Sequence, residues 1–248
     1  MSSLAAEPTE QGPDEGIATP PWRARDIVLA FVVGVVGSMA VLIVLIVLVA
    51  ALSPGFDMST SAQLAVFGST IYASLLISGW YFVLKRNGAS WVDAGLRPAG
   101  AGPVMLMFLV VLPMMILSGI AVQVSRVLFG EVPSTQEQVL GGEASLTSSD
   151  YLLLLLVGVL VAPIVEEFIF RGLIYRYLRG KKSVTYAVLV SAAIFAVAHF
   201  IPTLIPALFV LGIALALVAQ RYDSIYPAMM LHALNNAIGL TILYASLN

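Results

Sequence analysis

From residue 27 onward the chain is a series of long apolar runs separated by short polar breaks, and the runs are too long to be strands. Those at 27–52, 62–84, 103–129, 151–178, 184–200, 202–220 and 224–247 each have about the length a helix needs to cross a hydrocarbon core of ~30 Å. In lipid every backbone polar group must be satisfied within its own segment, so apolar runs of this length become helices. The expectation is an all-α, polytopic membrane bundle of about seven transmembrane helices. The fifth run is the shortest, and like the sixth it has room to be tilted, broken or partly re-entrant.

The polar breaks set the topology. Arg23 and Arg25 precede the first run, Lys85, Arg86 and Arg97 follow the second, Arg176, Arg179, Lys181 and Lys182 follow the fourth, and Arg221 follows the sixth. The remaining breaks, at 53–61, 130–150 and 200–202, carry no Lys or Arg. Ten of the twelve basic residues therefore fall on one side, with Arg126 and Arg171 as the exceptions. The positive-inside rule makes that side cytoplasmic. The N-terminus is expected inside and the C-terminus outside, in what reads as a bacterial cytoplasmic membrane.

Residues 1–22 hold four acidic side chains, four prolines and little bulk, and read as a disordered acidic tail ahead of an integral membrane domain at 23–248. The tail lacks the basic region and short apolar core of a cleaved signal peptide. Trp22 reads as an interfacial aromatic. Residues 85–98 have the composition of a short interfacial helix anchored by Trp91. Residues 130–150 read as an exposed outer loop closed by a cap at Ser148–Asp150.

Composition sharpens the class. Hydrophobic residues make up 60% of the chain and charged residues 10%, against about 25% charged in soluble proteins. A net charge of −2 with dispersed basic residues indicates no nucleic-acid partner. The absence of cysteine removes disulfides, thiolate ligands and a cysteine nucleophile.

Against this background a few buried polar residues stand out. Glu166-Glu167-Phe168-Ile169-Phe170-Arg171 follows a run, 151–165, with no charge beyond Asp150 at its edge. Each such charge costs ~2.5–3.5 kcal/mol on insertion scales. Glu167 and Arg171 share a helix face and read as a structural ion pair. Glu166 lies about 100° round the helix and is left without a neutralising partner. The chain's two histidines, His199 and His232, also sit inside apolar runs, and His232 shares a face with Asn236. Counted from the inner ends of their helices at ~1.5 Å per residue, Glu166, His199, His232 and Asn236 all fall at mid-membrane depth.

A carboxylate beside an imidazole can hold and deprotonate a water. An imidazole N–H and an amide N–H on one face can stabilise an oxyanion. Two histidines and a glutamate also suit zinc, although the His-Glu-x-x-His helix is absent. A metal-free mechanism and one using a divalent metal held by Glu166, His199 and His232 both remain open. So does a non-enzymatic reading in which these groups relay protons in a transporter or form a bacteriocin-immunity-type binder, although no inverted repeat accompanies them.

Pro163-Ile-Val-Glu166-Glu167-Phe-Ile-Phe-Arg171-Gly172, Phe195-x-x-x-His199 and His232-x-x-x-Asn236 resemble, in order and spacing, the three motifs of the CPBP (Abi) intramembrane endopeptidases, which include the CAAX proteases. The resemblance covers about 151–248, and Gly95-Leu96-Arg97-Pro98 adds to it. It implies a membrane protease whose partners are the bilayer and a membrane-embedded peptide or protein substrate. By position, it implies Glu166 as the base assisted by His199, His232 and Asn236 as the oxyanion hole, and Glu167 and Arg171 in support.

Overall fold

The computed structural model describes residues 19–53, 55–130 and 145–248. The acidic tail as far as residue 18, and residues 131–144 of the expected outer loop, lie outside them. Helix α1 spans Ala24–Leu52, α2 Thr60–Asn87, α3 Ala101–Phe129, α4 Ser148–Arg179, α5 Val184–Val197, α6 Pro202–Tyr222 and α7 Tyr226–Leu247. Among the described residues, six of these helices are long and apolar enough to cross a membrane, and the chain is an integral membrane protein built as a helical bundle. The fifth apolar run forms the short one. Its 14 residues cover about 21 Å at ~1.5 Å per residue, less than the ~30 Å core. A helix of that length starting at one surface ends inside the apolar layer, and His199 lies just past that end.

Local chemistry starts and stops the helices. Ser59 and Ser183 accept from the backbone N–H groups of Ala62 and Tyr186. Thr147 caps α4 and Asp150 answers it in a capping box, one residue earlier than expected. Gly88 and Asp223 end α2 and α6 in the left-handed region.

Helix α4 occupies the middle of the bundle and touches α2, α5, α6 and α7, while α1 packs on α2 and leaves most of its length to lipid. Its path is not uniformly α-helical. Leu156–Val161 and Phe168–Tyr175 follow i→i+5 hydrogen bonding, a feature that hydrophobic spacing does not announce.

Residues 85–98 form a 3₁₀ turn at Lys85–Asn87 and further turns, rather than an interfacial helix. The segment is latched to the α6–α7 corner. Gly95 accepts from the Ile225 N–H, Arg97 pairs with Asp223, and Arg176 reaches Asp223 at 2.6 Å. Gly95 has φ +84°, and a β-carbon there would stand 2.6 Å from Arg176 Nε, so both conformation and space demand glycine. In the same segment, the backbone N–H and hydroxyl of Ser90 hold the Asp93 carboxyl below the usual carboxylate range. Trp22 is buried rather than interfacial, and its indole N–H donates to the Leu173 carbonyl.

Close approach of α6 to α5 depends on Gly212, where a β-carbon would stand 2.9 Å from Ala192 Cα. Gly212→Val is expected to overpack this crossing by about 1–3 kcal/mol. In detergent its melting temperature should fall by several degrees, whereas Gly239→Val, which meets nothing within 4 Å, should melt close to wild type.

Candidate active site

Helix α4 carries Glu166, Glu167 and Arg171; His199 follows α5; His232 and Asn236 stand on α7. Glu166, Glu167, Arg171, His199 and His232 converge, Asn236 binds the α4 backbone at Gly158 instead, and α2 and α6 complete the surroundings.

The Glu167–Arg171 pair is the most enclosed part. Arg171 donates to Glu167 Oε1 at 2.9 Å, and neither side chain is exposed. A second guanidinium N–H donates to the Gly212 carbonyl at 3.0 Å, and the guanidinium lies 4.5 Å from the centroid of the Phe195 ring. Glu167 Oε1 also accepts from His232 Nδ1 at 2.8 Å. Glu167 is thus more than the arginine's counter-ion, because it also holds the imidazole.

Glu166 faces the other way. Its Oε1 accepts from the Tyr72 hydroxyl of α2 at 2.6 Å. Its Oε2 lies 3.9 Å from His199 Nε2 and 3.7 Å from His232 Nε2, and makes no hydrogen bond to protein. With 12% of its side chain exposed against none for Glu167, and with His199 at 28%, this is the less enclosed side of the cluster, with Oε2 itself buried.

Both imidazole tautomers follow from their partners. His199 Nδ1 meets the Phe195 carbonyl at 2.8 Å, and His232 Nδ1 meets an arginine-paired carboxylate. Neither partner can donate, so each Nδ1 carries its proton and each neutral ring turns a bare Nε2 toward Glu166. Three acceptors therefore face one another at distances too long for a direct hydrogen bond. A water donating to carboxylate and imidazole together would satisfy them, and the site has to open slightly to admit it, because Glu166 Oε2 is itself buried.

With Glu166 and Glu167 as carboxylates and Arg171 as a cation, the cluster carries one net negative charge, which one additional proton on the Glu166–His199–His232 set would neutralise while turning one of the three acceptors into a donor.

The backbone supplies the rest of the geometry. Phe200 takes a left-handed conformation, φ +56°, rare for a bulky residue, and turns the chain sharply after His199. The Phe195 carbonyl that holds His199 is one of the orphan acceptors at the end of α5. Asn236 Nδ2 donates to the Gly158 carbonyl at 2.8 Å. That carbonyl is free for a specific reason. The Ala162 N–H bonds five residues back to Val157, and in the same step the next donor to Gly158 would be residue 163, a proline with no N–H. Asn235, expected to bond between helices, instead donates to Asn236 Oδ1 at 3.1 Å and steadies it.

Two imidazole nitrogens and a carboxylate oxygen are the donor types of a catalytic zinc centre. Ligands at ~2.0–2.1 Å around a tetrahedral ion stand about 3.3–3.4 Å apart, and the pairs here, at 3.7 and 3.9 Å, are wider. Among the described residues no group of three His, Cys, Asp or Glu is spaced to hold a metal ion. The site as it stands does not fit zinc without closing.

Tyr72 and the Gly158 and Gly212 carbonyls are the contributors that sequence reasoning missed. A single tyrosine in an apolar helix has no signature, and which helix carbonyl a neighbouring side chain can reach depends on helix geometry and packing rather than on residue type.

No curated protein and no solved structure matches the chain. Residues 148–238, which hold all six sequence-derived site residues, match the family model described as Type II CAAX prenyl endopeptidase Rce1-like, in line with the resemblance of the three motifs to the CPBP/CAAX proteases.

Proposed function

We propose that this protein is an intramembrane endopeptidase that hydrolyses a peptide bond of a membrane-associated substrate with water activated by Glu166. The observation that carries the reading is the facing of Glu166 Oε2, which has no hydrogen-bond partner, with two bare imidazole nitrogens. A water there donates to Glu166 Oε2 and His199 Nε2, which leaves a lone pair for the substrate carbonyl.

As the water oxygen bonds to the carbonyl carbon, Glu166 takes its proton and the carbonyl oxygen becomes an oxyanion. His232 donates to that oxygen from Nε2 when it holds the site's additional proton, with the Glu167 carboxylate at Nδ1 stabilising the imidazolium. Asn236 adds its second amide hydrogen, since only one is used on Gly158. Collapse of the tetrahedral intermediate breaks the C–N bond, and the proton held by Glu166 passes to the leaving amine. Arg171 and Glu167 keep the cluster's charge in place and stay out of the chemistry.

The substrate is read as a peptide carrying an apolar group. The matched family model is named for prenyl endopeptidases. An apolar cavity of about 350 Å³ between α1, α2, α4 and α5 reaches Phe170 and Ala198, the neighbours of Arg171 and His199. The N-terminus is assigned to the cytoplasm and the C-terminus to the outside, on the distribution of Lys and Arg.

The direct test uses an internally quenched, farnesylated Cys-a-a-X peptide with the purified chain. Glu166→Gln and His199→Ala should each lower kcat by about 10²–10⁴-fold, and Asn236→Ala by about 10²–10³-fold. Full cleavage by both Glu166→Gln and His199→Ala would sink the assignment. Activity should survive 1,10-phenanthroline. A loss that zinc restores would replace the metal-free step with a metal-bound one.

Glu167→Gln should behave differently, because it leaves Arg171 buried without its counter-charge at a cost of ~3–5 kcal/mol. The melting temperature should drop by on the order of 10 °C, whereas Glu166→Gln should melt near wild type. Equal melting of the two variants would contradict the division of labour between the adjacent carboxylates.

A further inference from the structure

We infer that Tyr72 is a positioning residue for the base: its hydroxyl fixes one oxygen of Glu166 and so presents the other to the two imidazoles. The inference rests on the endopeptidase reading above. It adds a residue from α2, outside both the three motifs and the matched stretch 148–238.

Three observations carry it. The Tyr72 hydroxyl donates to Glu166 Oε1 at 2.6 Å, within the range of a charge-assisted O–H···O⁻ bond. Among the described residues it is the one hydrogen bond that Glu166 receives, and Oε2 receives none. The terminal torsion of a glutamate has a broad, two-fold preference, so the plane of its carboxylate is set from outside or not at all. A tyrosine is suited to this place, since its ring packs in an apolar helix contact while its tip delivers a single donor.

Second, α2 is held against α4 at two points that bracket Tyr72. A β-carbon at Gly68 would stand 3.3 Å from Val157 Cγ1, and one at Gly79 would stand 3.0 Å from Phe168 Cε1. The step is eleven residues on both helices, so they run alongside each other in the same direction over this stretch. The tyrosine therefore comes from a helix fixed at both ends of the contact, not from a mobile surface.

Third, the division of oxygens matches the chemistry. If Oε1 were free, the carboxylate could swing either oxygen toward solvent or toward His199, and the water between Oε2 and the imidazoles would lose its register. Tyr72 removes that freedom while leaving Oε2 unoccupied.

The test compares wild type, Tyr72→Phe and Glu166→Gln as purified full-length chains on the farnesylated Cys-a-a-X reporter. Tyr72→Phe keeps the ring and removes only the donor. A misplacement of about 1 Å costs up to ~10²-fold, so kcat should fall about 10–100-fold while KM and the melting temperature stay unchanged. A wild-type kcat for Tyr72→Phe, or a loss that comes with a lowered melting temperature, overturns the inference. Wild-type turnover by Glu166→Gln instead overturns the endopeptidase reading. Infrared difference spectra add an arm that needs no turnover. The carboxylate band that Glu166→Gln removes should shift in Tyr72→Phe, and an unmoved band counts against the contact itself.

Discussion

A guanidinium and a carboxylate with no exposure, in the middle of an apolar bundle, constrain everything built around them. Separating Glu167 from Arg171 would leave a charge in a medium that cannot solvate it, and other helices have to approach closely enough to satisfy the remaining polar atoms. Arg171 draws in α6 through the Gly212 carbonyl and α5 through the Phe195 ring, and Glu167 draws in α7 through His232. Gly212 lets α6 come near enough for its carbonyl to be reached. The pair thus serves as the reference point from which His232 and the helix before His199 take their places.

Because Glu167 is committed to Arg171 and His232, its neighbour is free for other work. One residue along a helix is about 100° of rotation, enough to turn Glu166 from the sealed side of α4 to the less enclosed side. Two adjacent carboxylates then have separate environments: one accepts from a cation and an imidazolium-ready ring, the other from a neutral hydroxyl. The consequence is a set of three neighbouring groups, Glu166, His199 and His232, that can share protons among themselves. In the proposed reaction His232 keeps one proton for the oxyanion while Glu166 takes another from water and returns it to the amine, so no net charge enters or leaves the bundle.

The parts of this arrangement that were legible in the sequence are those that repeat along one helix or break a strong compositional rule. Glu167 and Arg171 lie four apart, His232 and Asn236 lie four apart, and every one of these residues is a polar exception in an apolar run. What was not legible depends on contacts between helices or on departures from α-helical geometry. Tyr72 is chemically ordinary in an apolar helix until α4 is placed beside it. Trp22 reads as a belt residue until the end of α4 covers it. The acceptor for Asn236 exists because an i→i+5 step and a proline coincide at Gly158 and Pro163, and periodicity cannot show the first of these.

That coincidence bears on why the site sits where it does. A helix in lipid normally has no carbonyl to spare, since each one is bonded within the segment. Helix α4 releases one through Pro163, three residues before Glu166, and its path widens again from Phe168, immediately after Glu167. The two carboxylates therefore occupy a short α-helical stretch, Ala162–Glu167, between two widened ones. The widened turns give the neighbouring helices something to hold, at Gly158 on one side and around the buried Arg171 on the other. Without the first of these interruptions, the Gly158 carbonyl that Asn236 uses would already be bonded to the Ala162 N–H within α4. The irregular path of α4 is thus part of how a membrane helix can carry a polar site at all: the same departures that weaken its own hydrogen-bond ladder supply the contacts that tie α7 to it.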